Sequence, residues 1–170
     1  QPCLAQRIQT EDGKIRIAPE LYLKDLKRLD ASGLLQADEN SDYPFTLISR
    51  RLPRSHNTWT QNSHRLVKGK NPCTLQMNAS DALKIGLEDG QLATVTSASG
   101  SINLPVEIDD DIFEGVISMP QGWGHNRTDT AMSIAEGQPG VSMNDVTDSG
   151  RIDALTGNAA FNGTRVAVRA

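Results

Sequence analysis

Apolar positions in this chain recur mostly at every second residue, the spacing of a strand with one buried face. Phe45-Thr46-Leu47-Ile48-Ser49 and Thr74-Leu75-Gln76-Met77 read as two such strands, followed by Leu92-Ala93-Thr94-Val95-Thr96 and by residues 102–108. The last two are joined by a turn at 97–100 and are predicted to run antiparallel. Residues 116–119 and Thr164-Arg165-Val166-Ala167-Val168 complete the set. Between the second and third strands, Asn78 predicts the cap of a short helix over 79–85, with Gly86 ending it. The first forty residues differ. Lys14-Ile15-Arg16-Ile17 predicts a short strand, Pro19 and Glu20 open a helix carrying Leu21, Leu23, Leu26 and Leu29 and ending near Gly33, and 36–42 reads as a polar linker.

Two stretches escape the alternation. One runs from Arg50 to about Lys70 and is rich in Arg, Asn, His and Ser; the other runs from Pro120 to about Ala160 and is rich in Gly, Asn, Asp and Thr. Long loops without their own apolar period are usually functional or disordered. Short strands, few helices and two long polar loops predict a small β-barrel rather than a sandwich of even hairpins.

Composition adds little to the fold but sharpens the chemistry. At 170 residues, 37% hydrophobic and 22% charged, the chain is of globular type and large enough for its own core. Its net charge of -4 argues against a nucleic-acid partner. The distribution is uneven, however. No carboxylate occurs between Asp42 and Asp81, while Arg50, Arg51, Arg54, Arg65, Lys68 and Lys70 all do. On charge alone an ordinary solvated face would serve as well; a basic patch on an acidic chain also suits a discrete anionic ligand. No apolar run is long enough to cross a bilayer, so no membrane insertion is expected. No signal peptide is visible; a cytoplasmic setting is favoured and a periplasmic one stays open. Starting at Gln1, the chain reads as processed or as a piece of something longer.

Several chemistries are unsupported. There is no GxSxG elbow, and Cys3 and Cys73 form neither a CxxC nor a Cys/His cluster. His56, His64 and His125 lack HExxH spacing, and no Walker or Rossmann glycine pattern follows a strand. Asp109-Asp110-Asp111 reads as a solvated turn at a strand exit. What remains is a binding constellation of three polar clusters, each leaving a strand or sitting in a long loop. They are Arg50-Arg51-Leu52-Pro53-Arg54-Ser55-His56-Asn57-Thr58-Trp59-Thr60-Gln61-Asn62, Gln121-Gly122-Trp123-Gly124-His125-Asn126-Arg127, and Ser142-Met143-Asn144-Asp145-Val146-Thr147. Guanidinium groups suit phosphates, and Asn, Ser and Gln suit heterocycle edges. The three clusters are expected to meet at one barrel mouth. Trp123 taken alone reads more readily as a core residue.

In these motifs, taken in order, the chain resembles the C-terminal molybdopterin dinucleotide-binding domain of the dimethyl sulfoxide reductase, formate dehydrogenase and nitrate reductase superfamily. The resemblance rests on Leu47-Ile48-Ser49-Arg50-Arg51 through Trp59, on Met77-Asn78-Ala79-Ser80-Asp81-Ala82 leading to Leu87-Glu88-Asp89-Gly90, and on the hairpin at 93–100. Glu114-Gly115-Val116-Ile117-Ser118-Met119-Pro120 through Trp123 and Asn144-Asp145-Val146-Thr147 complete it, and the lead-in at 12–20 is also similar. Val146 stands where the family usually has Leu, and no Tyr-Lys pair accompanies Asn162.

The resemblance implies a mainly β fold, a double-psi β-barrel of the aspartate decarboxylase type with a few short helices. It implies domains at 1–42 (lead-in and linker) and 43–170 (barrel). It places Arg50, Arg51, Ser55, His56, Asn57 and Asn62 in a first cofactor loop, Trp123 and His125 in a second, and Asn144 and Asn162 at further cofactor contacts. The implied cofactor is molybdopterin guanine dinucleotide, with molybdenum or tungsten, held in a full-length parent together with that protein's other domains. The metal ligand of such enzymes lies in earlier domains, so the isolated chain is expected to carry neither cofactor nor turnover. Two other readings compete. A double-psi barrel that recognises substrates or proteins without molybdenum would not need the arginine loop. A self-processing decarboxylase would need cleavage at Gly100-Ser101.

Overall fold

The computed structural model describes residues 3–31, 42–127 and 130–170. The chain divides into two compact units, Gln1–Asp38 and Glu39–Ala170. In the first unit, α1 spans Leu4–Arg7 and α2 spans Glu20–Ala31. The start of α2 agrees with the sequence reading; its expected stop near Gly33, and most of the expected linker, lie outside the described residues. The strand expected at 14–17 does not form, and α1 was not anticipated. Residues 14–17 are exposed and pair with no strand, and alternation alone cannot make a strand without a partner.

The second unit is a closed six-stranded barrel. Its strands are β1 (Phe45–Arg50), β2 (Leu75–Met77), β3 (Leu92–Thr96), β4 (Ser101–Ile108), β5 (Val116–Pro120) and β6 (Thr164–Arg169). Around the barrel they run β1-β5-β2-β4-β3-β6. Two pairs are parallel, β1 with β5 and, nested between them along the chain, β2 with β4, while the other neighbours are antiparallel. The closed six-stranded wall is a double-psi β-barrel. Each strand feeds alternate residues inward, so Leu47, Leu75, Met77, Val95, Leu104, Val106, Ile117, Met119 and Val166 fill the interior.

α3 (Ala79–Ile85) forms where expected, for the expected reasons. The Asn78 side chain accepts from the Ser80 N–H, and Gly86 closes the helix in the left-handed region at φ +70°. Asn78 Nδ2 also donates to Ile112 O, tying the cap to the loop before β5. Buried Asp81 accepts from the Gly115 N–H at 2.6 Å, so α3 is fixed at the start of β5. β1 ends in the first long loop, β5 ends in the second, and the two run parallel side by side. Both loops therefore leave the barrel from the same edge.

Candidate functional site

Parallel pairing of Arg50 with Pro120 puts the exits of β1 and β5 next to each other, and the loops they feed are stitched together. A Cβ added to Gly122 would lie 1.9 Å from Asn57 O, so only glycine lets the two loops meet there. Gly124 is crowded the same way by Ser142, 2.8 Å from its N. Thr58 Oγ1 and His125 Nε2 are 2.7 Å apart, and His125 Nε2 is also 3.0 Å from Gly122 O. A carbonyl only accepts, so the Gly122 contact requires the proton on Nε2. Arg127 pairs with Asp145, bringing in the 3-10 turn at Met143–Asp145. Asn62 Oδ1 accepts from the N–H groups of Ile134 and Ala135 at 2.9 and 3.2 Å, and Asn71 Nδ2 donates to Pro139 O at 2.6 Å.

Where the three clusters meet there is a pocket of about 310 Å³. It is lined by Thr58, Gly122, Trp123, Gly124, His125, Arg127, Ser142, Met143, Asn144 and Phe161. A second hollow of about 250 Å³ lies on the first loop, between Arg51, Leu52, Pro53, His56 and Asn57. Neither lining contains a carboxylate, while Arg127 lines one and Arg51 the other. An anion can therefore approach Arg51 without meeting like charge, whereas at Arg127 it competes with the Asp145 carboxylate. The first loop is bent to make this hollow: His56 and Asn57 both lie in the left-handed region, at φ +43° and +63°. Asn adopts it readily and His does so less easily, so the loop's other contacts must hold it there. Arg51 donates to Asn57 Oδ1, and the Gln121 carboxamide lies 2.8 Å from both Asn57 Oδ1 and Arg51 Nε.

The residues singled out from the sequence fall into two groups. Arg51, His56, Asn57, Trp123, His125 and Asn144 line one of the two hollows. Arg50, Ser55, Asn62 and Asn162 act as struts. The Arg50 guanidinium turns into the barrel wall, donating to Ser118 O at 2.9 Å, Pro72 O at 3.0 Å and Thr74 Oγ1 at 2.6 Å, with Glu107 at 3.5 Å. Burial pulls its pKa down from the ordinary arginine value, and Glu107 opposes that pull. Ser55 is buried against Leu52 O, and Asn162 Oδ1 accepts from the Ser49 N–H at 2.7 Å. Trp123 satisfies both readings offered for it. Its ring is buried beside Cys73 and Gly140, where a Cβ on the glycine would sit 2.8 Å from Cε3, yet it also walls the pocket.

Thr58, Arg127 and Ser142 were present in the quoted segments but not chosen; each lines the pocket. Their signal is position within the clusters rather than residue type. Phe161 lines the pocket without any sequence signal, because only tertiary folding brings it there.

The family described as "Molydopterin dinucleotide binding domain" matches residues 45–165. Over 113 residues the chain is 30% identical to the F420-dependent formate dehydrogenase subunit alpha of Methanocaldococcus jannaschii, covering 65% of this chain and 15% of that one. Over 136 residues it is 29% identical to the arsenate respiratory reductase molybdopterin-containing subunit ArrA of Chrysiogenes arsenatis, covering 72% and 16%. The chain thus spans about a sixth of the length of the curated relatives it matches. Among solved structures it is similar in fold to acetylene hydratase from Pelobacter acetylenicus, with a TM-score of 0.66 at 16% identity, over 94% of this chain and 24% of the other. These findings support a molybdopterin cofactor and do not favour a barrel module without one. With barrel, loops and family match coinciding over residues 45–165, the chain belongs to the molybdopterin dinucleotide-binding domain family.

Proposed function

We propose that the barrel mouth grips molybdopterin guanine dinucleotide, bearing molybdenum or tungsten, within a larger oxidoreductase, and that residues 43–170 are the gripping domain, with 1–42 leading into it. The observation that carries this reading is the meeting of three polar loops around a carboxylate-free pocket flanked by Arg127 and, on the neighbouring hollow, Arg51. A pyrophosphate-linked cofactor needs cations for its phosphates and orienting amides for its rings. Arg51 supplies the first, with Arg127 once it exchanges Asp145 for a phosphate, and Asn57, Asn144 and Ser142 supply the second. His125, held by Thr58 and Gly122, forms a rigid wall between them. When bound, such a cofactor carries the redox chemistry itself, and the chain's own residues bind and orient it. Turnover by the chain alone is not expected.

The test is cofactor loading in the full-length parent. His125→Ala and Arg51→Ala should each lower pterin dinucleotide content by about fivefold, the equivalent of roughly one net hydrogen bond. Content is read from the fluorescence of the oxidised pterin. The nucleotide released by mild acid identifies the guanine form, and elemental analysis distinguishes molybdenum from tungsten. Unchanged content in both variants would overturn the assignment of the mouth.

A further inference from the structure

Asn162-Gly163 is the only Asn-Gly pair in the sequence, and it sits where the barrel closes. The ladder between β6 and β1 runs from Val166 opposite Phe45 to Thr164 opposite Leu47. Two further bonds carry it on. Gly163 N donates to Leu47 O at 2.9 Å, and Asn162 Oδ1 accepts from the Ser49 N–H at 2.7 Å. A side-chain amide thus stands in for a backbone carbonyl at the end of the seam. Arg151 Nη1 donates to Gly163 O at 2.9 Å and restrains the same peptide from the other side. Asn162 is nevertheless exposed, so water reaches it.

We propose that Asn162 is a deamidation site, held unreactive by the closed seam and released when the seam opens. In an Asn-Gly pair the glycine nitrogen can attack the asparagine Cγ, because no Cβ on the following residue crowds its approach. The N–Cγ bond forms and the Cγ–Nδ2 bond breaks. Ammonia leaves, carrying the Gly163 amide proton, and a succinimide ring remains. Water then opens the ring at either carbonyl, giving aspartate with the native main chain or isoaspartate with a main chain rerouted through Cβ and Cγ. One water enters, one ammonia leaves, and no other reactant is needed.

The closed barrel acts on the two halves of this reaction in opposite ways. The Ser49 N–H fixes and polarises the Asn162 carbonyl, which readies the electrophile. Leu47 O holds the Gly163 proton, whose removal makes the nitrogen a nucleophile. The gate is therefore the bond from Gly163 to Leu47. The products differ in consequence. An aspartate carboxylate still accepts from the Ser49 N–H, so the seam recloses. Isoaspartate shifts its carboxylate relative to Gly163, so the two bonds to β1 no longer fit together. Phe161 adjoins this pair and walls the mouth, so a seam held open alters the pocket's edge. None of this depends on what the mouth binds.

The test incubates the 170-residue chain at mildly alkaline pH, folded and in guanidinium chloride, and follows the tryptic peptide 152–165 by mass spectrometry. In denaturant the peptide should gain about one dalton, with fragment ions placing the gain at Asn162 rather than Asn158. In the folded chain that gain should be at least about tenfold slower. The Gly163 amide should also be protected from hydrogen exchange in the folded chain, because the same bond guards both. Asn162→Asp should melt within about 2 °C of the native chain. The isoaspartate form, separated after reaction in denaturant and refolded, should melt several degrees lower. Equal rates in the two states, or a freely exchanging Gly163 amide, would overturn the gate. No gain at Asn162 in denaturant would overturn the site itself. An isoaspartate form that melts with the native chain, or a large loss in Asn162→Asp, would overturn the distinction between the products.

Discussion

Arg50 and Arg51 are adjacent in sequence and divide two jobs that their residue type does not distinguish. Arg51 is exposed and touches only loop carboxamides, so it is available to a ligand. Arg50 is mostly buried and closes a network of Ser118 O, Pro72 O, Thr74 and Glu107 across β5, β2 and β4. Truncating it strands the buried Ser118 carbonyl and leaves the Glu107 carboxylate with Thr74 but without its cation. We expect Arg50→Ala to lose about 2–3 kcal/mol in urea denaturation, and Arg51→Ala to stay within about 0.5 kcal/mol of the native chain. Equal losses would mean that the two side chains share one role. Strand alternation predicts which way each residue of β1 points, but it does not say whether the last residue of a strand turns its long side chain back over the wall or out to solvent. That is why both arginines read as ligands from the sequence.

At the scale of elements, the loops are held in place by glycines rather than by regular pairing. Gly122 sits at φ +87° with Asn57 O where a Cβ would be. Gly122→Ala should therefore push the first and second loops apart, costing roughly 2–4 kcal/mol and breaking the Thr58–His125 contact. The His125 ring resonances, followed by NMR, should shift and broaden. Gly157 has φ +72° but open space around it, so Gly157→Ala should cost only about 1 kcal/mol. A comparable loss at both positions would show that backbone conformation matters and the loop contact does not. The elements themselves were legible because their signals are local: the cap at Asn78, the stop at Gly86 and the alternation of β3 and β4 need nothing from elsewhere. Residues 14–17 carry the same alternation without a partner strand, and there the local signal misleads. The 3-10 turn at Met143–Asp145 was equally hidden, since its place depends on Ser142 meeting Gly124.

At the scale of the whole molecule, the barrel is closed by its last strand. β6 pairs with β1 on one side and β3 on the other, and places Val166 and Val168 in the core. Asn162 and Gly163 extend that seam by bonding Ser49 and Leu47. Among the described residues no other strand touches both β1 and β3, so without β6 the sheet becomes an open ribbon with two bare edges and an exposed interior. Contacts of this kind join the start of the barrel to its end, which is why closure can be inferred from six strands only after their order is known. Ending the chain after Phe161 should abolish the cooperative thermal transition and give a species that binds hydrophobic dyes and self-associates. Val166→Ala, which leaves the seam's hydrogen bonds intact, should instead keep a single transition at a cost of about 1–3 kcal/mol. If the truncated chain still melted cooperatively, the β1–β5–β2–β4–β3 ribbon would be stable by itself. The mouth, built at the exits of β1 and β5, would then owe its shape to the loops alone rather than to the closed barrel beneath them.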